Sequence, residues 1–197
     1  MRRLTTVLLL ASALVLPLRA LEVVRVAIET SVGTIEVEID AGRAPITAAN
    51  FLRYVDAKMY DGGRFHRAVR LDNQVRKDVM IQVIQGGRSP ERTKTEKGFG
   101  TIPLERTSTT SLRHVDGAIS MARGDRADSA ASDFFICVGD QPSLDFGGAR
   151  AGDGQGFAAF GRVVSGMDVV RSIQARATND REQLLAPVTI LRISRKN

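Results

Sequence analysis

The 197-residue chain has no tryptophan and only one cysteine, Cys137. A single thiol cannot form a disulfide within the chain, even in an oxidising compartment. Cys137 follows Phe134-Phe135-Ile136 and reads as a small buried core residue. No Gly-x-Ser-x-Gly occurs, so a serine hydrolase of that kind has no support. Asp125, Asp128, Asp133, Asp145 and Asp153 do not keep the spacing of a calcium loop. Gly152-Asp153-Gly154-Gln155-Gly156 lacks the strand-to-helix setting of a dinucleotide fingerprint. No Lys/Arg-rich run interleaved with aromatics is present, so nucleic acid is not an expected partner. No segment repeats with a period of about 20–50 residues, which argues against a solenoid or propeller.

What is present fits one globular domain. Hydrophobic residues make up 43% of the chain and charged residues 25%, an ordinary balance for a chain that buries a core. Residues 1–20 stand apart. Arg2-Arg3 is followed by a mostly apolar, uncharged run up to Leu18, closed by Arg19-Ala20. This is the layout of a secretory signal, too short for a membrane span. The expectation is a signal at 1–20, a mature domain at 21–197, and a periplasmic or secreted protein with no stable membrane association. The formal charge of +6 falls to +3 without Arg2, Arg3 and Arg19, leaving 25 basic against 22 acidic residues.

Val24, Val26 and Ile28 alternate with polar or small residues, and so do Ile35, Val37 and Ile39. The alternation predicts an antiparallel hairpin with one buried face. Pro45 suits the first turn of a helix, where a missing N–H costs nothing. Ala48, Phe51, Leu52, Val55 and Met59 form its apolar stripe, and Asp61-Gly62-Gly63 is its expected stop. Residues 89–100 read as a surface loop and 139–156 as a long Gly/Asp-rich loop. Short strands are expected over 117–123, 133–138 and 157–164, then a helix after Gly166 and a closing strand through Val188, Ile190 and Ile193. Periodicity leaves a sandwich and a barrel equally open.

The chain is organised around residues 62–87. Phe65-His66-Arg67 sets a fixed cation among apolar neighbours, and Ile84-Gln85-Gly86-Gly87 is a strand end with an amide and two glycines. An Arg and a Gln facing one groove suit a neutral peptide carbonyl. These two motifs resemble those of the cyclophilins, the peptidyl-prolyl cis/trans isomerases, here of an exported bacterial form. The likeness extends through Gly117-Ala118-Ile119-Ser120-Met121-Ala122, Asp133-Phe134-Phe135-Ile136 and Phe160-Gly161-Arg162-Val163-Val164-Ser165-Gly166-Met167-Asp168.

The resemblance implies a mainly β fold: a closed eight-stranded antiparallel barrel capped by two α-helices, with an external substrate groove. It implies Arg67 as the catalytic residue, with Gln85, Ala122, Asp133, Phe135, Leu144 and Phe157 binding substrate. Phe135 would be the apolar floor for the proline ring, with Phe134 turned into the core by strand alternation. Leu144 would be the apolar rim. No cofactor or metal is implied. The partners would be proline-containing polypeptides, taken by a monomer during folding of exported proteins. His66 reads as structural, because isomerisation needs no proton transfer, and His114 has no evident partner.

Three features depart from the family pattern. Asp133 replaces a usual Gln and is expected to pair with Arg67 across the groove. Gln82-Val83 replaces a Phe-Met pair. The connection from Arg67 to Gln85 is long and charged. The alternative these departures leave is a non-catalytic proline-peptide-binding module or chaperone holdase.

Overall fold

A computed structural model of the chain describes residues 22–196; the expected signal at 1–20 lies outside the described residues. The hairpin forms as its alternation requires. β1 (Val23–Thr30) and β2 (Gly33–Asp40) pair in register from Val23↔Asp40 to Thr30↔Gly33. Val26, Ile28, Ile35, Val37 and Ile39 are all fully buried.

Helix α1 (Pro45–Asp56) carries Pro45 in its first turn. It stops before the expected Asp61-Gly62-Gly63. Lys58 adopts a left-handed φ of 53°, and Met59 N–H donates to Tyr54 O at 3.0 Å. That pairing ends the helix by satisfying its last carbonyls. The other end has no capping side chain of its own. Instead Glu105 reaches in from a distant segment, accepting from Ile46 N–H at 3.1 Å and Thr47 N–H at 2.7 Å. A carboxylate on two free N–H groups at a helix N-terminus satisfies both donors and opposes the dipole. Glu105→Ala is expected to lower stability by about 1 kcal/mol, read as a lower urea midpoint at unchanged slope.

After α1 come β3 (Arg64–Val69), β4 (Val83–Gly87) and the short helices α2 (Pro90–Thr95) and α3 (Thr107–Thr110). The stretch 89–100 is thus not wholly loop: Pro90 starts a turn of helix. β5 (Ala118–Met121), β6 (Phe134–Cys137), β7 (Ala158–Ser165), α4 (Met167–Gln174) and β8 (Gln183–Arg195) complete the chain. The closing strand begins earlier than its apolar residues suggest, because its first half pairs with β3.

The strands close into one antiparallel barrel in the order β1-β2-β7-β5-β6-β4-β3-β8, with β8 returning to β1. The periodicity that left sandwich and barrel open is resolved by that last pairing, which removes the free edges. Phe51 of α1 packs on Phe134 and Phe160 inside the barrel at centroid distances of 5.6 and 5.2 Å. Val170 and Ile173 of α4 join the same core. A second, smaller cluster lies on the outer face: Val69, Ile81, Val83, Ala118, Phe135, Cys137 and Leu144. Because side chains alternate, Phe134 and Ile136 enter the barrel while Phe135 and Cys137 join the outer cluster. Burial raises the Cys137 thiol pKa far above its ordinary value, so the group is an inert apolar filler.

A candidate proline pocket on the barrel wall

The outer cluster is the floor of a pocket of about 220 Å³ lined by Arg67, Gln85, Ala122, Phe135, Leu144 and Phe157, with Ile81 and Val83 as its apolar wall. Six of the seven expected site residues therefore meet in one cavity. The Gln82-Val83 departure does not strip the wall, since Ile81 and Val83 both face it. Leu144, expected as a rim, is buried at the base.

Arg67 faces the pocket through a β-bulge. In β3, Phe65 pairs with Gly86 and Arg67 with Gln85, so His66 is an extra residue in the ladder. Phe65 points into the barrel. Strict alternation would send Arg67 inward after it. The extra residue inverts the order, and Arg67 turns outward. Gly86 lies flat against the Phe65 ring, where a Cβ would come within 2.8 Å of a ring carbon.

The guanidinium is tightly held. Its Nη1 donates to Gln85 Oε1 at 2.9 Å, its Nε to Glu182 Oε2 at 2.9 Å, and its Nη2 to the same Glu182 oxygen. Glu182, absent from the sequence-based expectation, is almost fully buried. It lies 115 residues from Arg67, just before the closing strand.

The expected Arg67–Asp133 pair does not form. Asp133 lines the adjoining pocket with Ala131, Ser132 and Ser129, a pocket that shares Gln85, Ala122 and Arg123 with the first. The His66 imidazole lies beside it, with Nε2 4.0 Å from Asp133 Oδ2. Asp133 sits beside the bulge rather than across from Arg67, against the place where Gly87 lacks a side chain. Burial raises the Asp133 carboxyl pKa, with the His66 imidazole opposing; burial lowers the His66 pKa. A carboxyl whose pKa is raised on folding lowers stability progressively as pH rises above the unfolded value of about 3.9, by the full amount once pH passes the folded value, and has no effect well below about 3.9. Asp133→Asn is therefore expected to raise Tm at pH 7, with the gain shrinking to nothing near pH 3; calorimetry at both pH values checks it.

The floor has its own support. His114 is buried and stacks on Phe135 at 5.9 Å, with ring planes 15° apart. Its Nδ1 lies 2.8 Å from Asp145 Oδ1 and its Nε2 3.0 Å from Ser120 Oγ. Burial works to raise the Asp145 pKa, but the bonds from His114 outweigh it and hold the carboxylate ionised. Sequence reasoning found no partner for His114: Asp145 lies 31 residues on, and Ser120, though only six residues away, reads as part of a strand. Phe157 meets Phe135 edge-on at 5.6 Å, and the Arg123 guanidinium lies 5.1 Å above Phe157. Arg150 completes the rim, its Nη1 donating to Val79 O at 2.7 Å. Burial, then repulsion from Arg67, lowers its pKa, while Glu182 opposes that shift.

A fixed cation over an aromatic floor, beside an open groove, suits a proline ring and its amide. The family model described as "Cyclophilin type peptidyl-prolyl cis-trans isomerase/CLD" matches residues 25–195. The chain belongs to the cyclophilins. It is 36% identical over 155 residues to peptidyl-prolyl cis-trans isomerase A of Dickeya dadantii, covering 79% of this chain and 73% of that protein. It is 34% identical over 154 residues to isomerase B of Escherichia coli, covering 78% and 85%. The fold is similar to that of a Cryptosporidium parvum cyclophilin, with a TM-score of 0.70 at 19% identity over 89% of this chain and 99% of that one. That protein was also solved in the presence of the dipeptide Ala-Pro. As a member of this family, the cyclophilin described here is a peptidyl-prolyl cis-trans isomerase.

Proposed function

We propose that this cyclophilin is exported and speeds X-Pro isomerisation in proteins folding outside the cytoplasm, with Arg67 as its catalytic residue. The observation that carries the assignment is the state of the Arg67 guanidinium. Three of its five N–H donors are taken by Glu182 and Gln85, and two stay free beside an apolar pocket. A planar amide nitrogen accepts no hydrogen bond, because its lone pair is conjugated. At the top of the rotation barrier, about 18–20 kcal/mol, conjugation is lost and the nitrogen becomes an acceptor. A donor fixed at that point favours the twisted state over both planar ones.

In this reading Phe135, Leu144 and Phe157 seat the proline ring, and Gln85 and Ala122 hold the chain before it. Asp133 and the adjoining pocket meet the chain further out. Substrates are exposed X-Pro segments of polypeptides, bound by a monomer without cofactor. The basic-then-apolar pattern of residues 1–20 supports export, with 21–197 as the mature isomerase.

Two measurements test this. The full-length chain is expressed in a bacterium, fractionated, and its N-terminus read by mass spectrometry. A periplasmic product starting near residue 21 is expected; an uncleaved cytosolic chain would refute export. The purified domain is then added to a refolding reaction limited by proline isomerisation. Acceleration is expected at catalytic amounts, and an unchanged slow phase would refute the role in folding.

A further inference from the structure

We infer that Glu182 is a positioning residue for Arg67, and that its carboxylate ties the pose of the catalytic guanidinium to the insert between β3 and β4. The inference rests on the assignment of Arg67 above.

One carboxylate serves two clients. Oε2 takes both Nε–H and an Nη2–H of Arg67, while Oε1 accepts the Val75 N–H at 3.0 Å. Val75 belongs to the long insert, which is fastened to the pocket elsewhere. Arg150 Nη1 donates to Val79 O, and Arg76 Nη1 donates to Arg150 O at 2.7 Å. Gln74 Oε1 takes the Ile81 N–H at 2.8 Å. The insert and the guanidinium thus share one buried anchor.

The backbone under that anchor is fixed. Glu182 has a left-handed φ of 62°, a conformation few residues other than Gly or Asn adopt. It is held there from both sides. Its N–H donates to Asn179 O at 3.1 Å, and its carbonyl accepts the Ala68 N–H at 3.0 Å, next to Arg67. The Asn179 side chain accepts the Arg181 and Gln183 amides on either side. A strained residue kept in place by this many bonds points to a required side-chain direction.

The consequence is preorganisation. With Nε and one Nη on Glu182 and the other Nη on Gln85, the guanidinium plane cannot rotate, and its free donors keep one direction. A donor that needs no rearrangement when the amide twists helps the twisted state most. Loss of Glu182 leaves the cation in the pocket but frees its direction, so turnover should fall more than binding.

The test uses the folded domain and an Ala-Pro peptide, with kcat and KM measured by NMR exchange. Glu182→Ala is expected to lower kcat by about tenfold or more with KM nearly unchanged. Glu182→Gln has one carbonyl oxygen and can serve Arg67 or Val75 but not both, so it should fall between wild type and Glu182→Ala. In an Arg67→Ala background, Glu182→Ala should cost nothing further. An undiminished kcat, a gain, or an equal loss in the Arg67→Ala background would overturn the inference. Should Glu182→Ala not fold, the wild-type protein still decides. A slowly exchanging Arg Nε–H resonance, absent in Arg67→Lys, is expected, and its absence from wild type overturns the held pose. If Arg67→Ala itself keeps full activity, the assignment of Arg67 fails; if only the Glu182 variants do, this inference alone fails.

Discussion

Arg67→Ala is expected to lower kcat/KM by about 100-fold or more, comparable to removing one preorganised donor from a transition-state site. The reaction breaks no σ bond, so a large share of any acceleration must come from stabilising the twisted amide. Of the cations lining the pocket, Arg67 is the one proposed above to supply free N–H donors to that nitrogen. The loss should appear mainly in kcat, because the apolar floor proposed to seat the ring is untouched. Some stability is lost too. Glu182 keeps only the Val75 N–H as partner for a buried carboxylate, a cost of about 1–3 kcal/mol. Arg67→Lys separates the two effects. It retains a cation for Glu182 but lacks the planar fork, so it should recover more stability than activity. A folded Arg67→Ala protein with near wild-type kcat/KM would remove Arg67 from the mechanism.

The second large effect divides two adjacent phenylalanines. Phe134 is fully buried and meets Phe51, Tyr60 and Phe65 edge-on at 5.6, 5.6 and 5.8 Å. Phe134→Ala opens a cavity at the centre of the barrel and should cost about 3–5 kcal/mol. A domain of this size is stable by about 5–15 kcal/mol, so Tm should fall by roughly 10 °C. Phe135, one residue on, lies on the outer face between His114 and Phe157. Its ring borders an open pocket, so Phe135→Ala should cost about 1–3 kcal/mol of stability and raise KM for X-Pro peptides several-fold. Calorimetry and peptide kinetics on both variants check the inversion: one substitution damages mainly the fold, its neighbour mainly the site. Equal stability losses with an unchanged KM in Phe135→Ala would show that the pocket floor lies elsewhere.

Much of this architecture is local and therefore legible in the order of residues. A two-residue alternation is enough to place Val26, Ile28, Ile35 and Val37 on one face, and the same rule separates Phe134 from Phe135. Helical spacing identifies the buried side of α1, and Pro45 marks its start. The end of α1 was less legible, because a left-handed Lys58 carries no composition signal. The spaced motifs around Phe65-His66-Arg67 and Phe134-Phe135 were enough to bring six of seven expected site residues into one pocket.

By itself, the sequence determined the family, the strand faces and the chemistry available to the site, since periodicity and motif order are properties of neighbouring residues. The tertiary structure decided which way Arg67 points and what holds it. A bulge at His66 inverts the alternation of β3, and only its pairing with neighbouring strands reveals it. Asp133 was expected to hold Arg67, yet barrel closure sets it beside His66 and brings Glu182, at the entry to β8, under the guanidinium instead. His114 finds Asp145, 31 residues on, in the same way. The physical reason is common to all three. A charged side chain takes its partner by proximity in space, and in a closed barrel that proximity is set by which strands meet across the wall, not by distance along the chain.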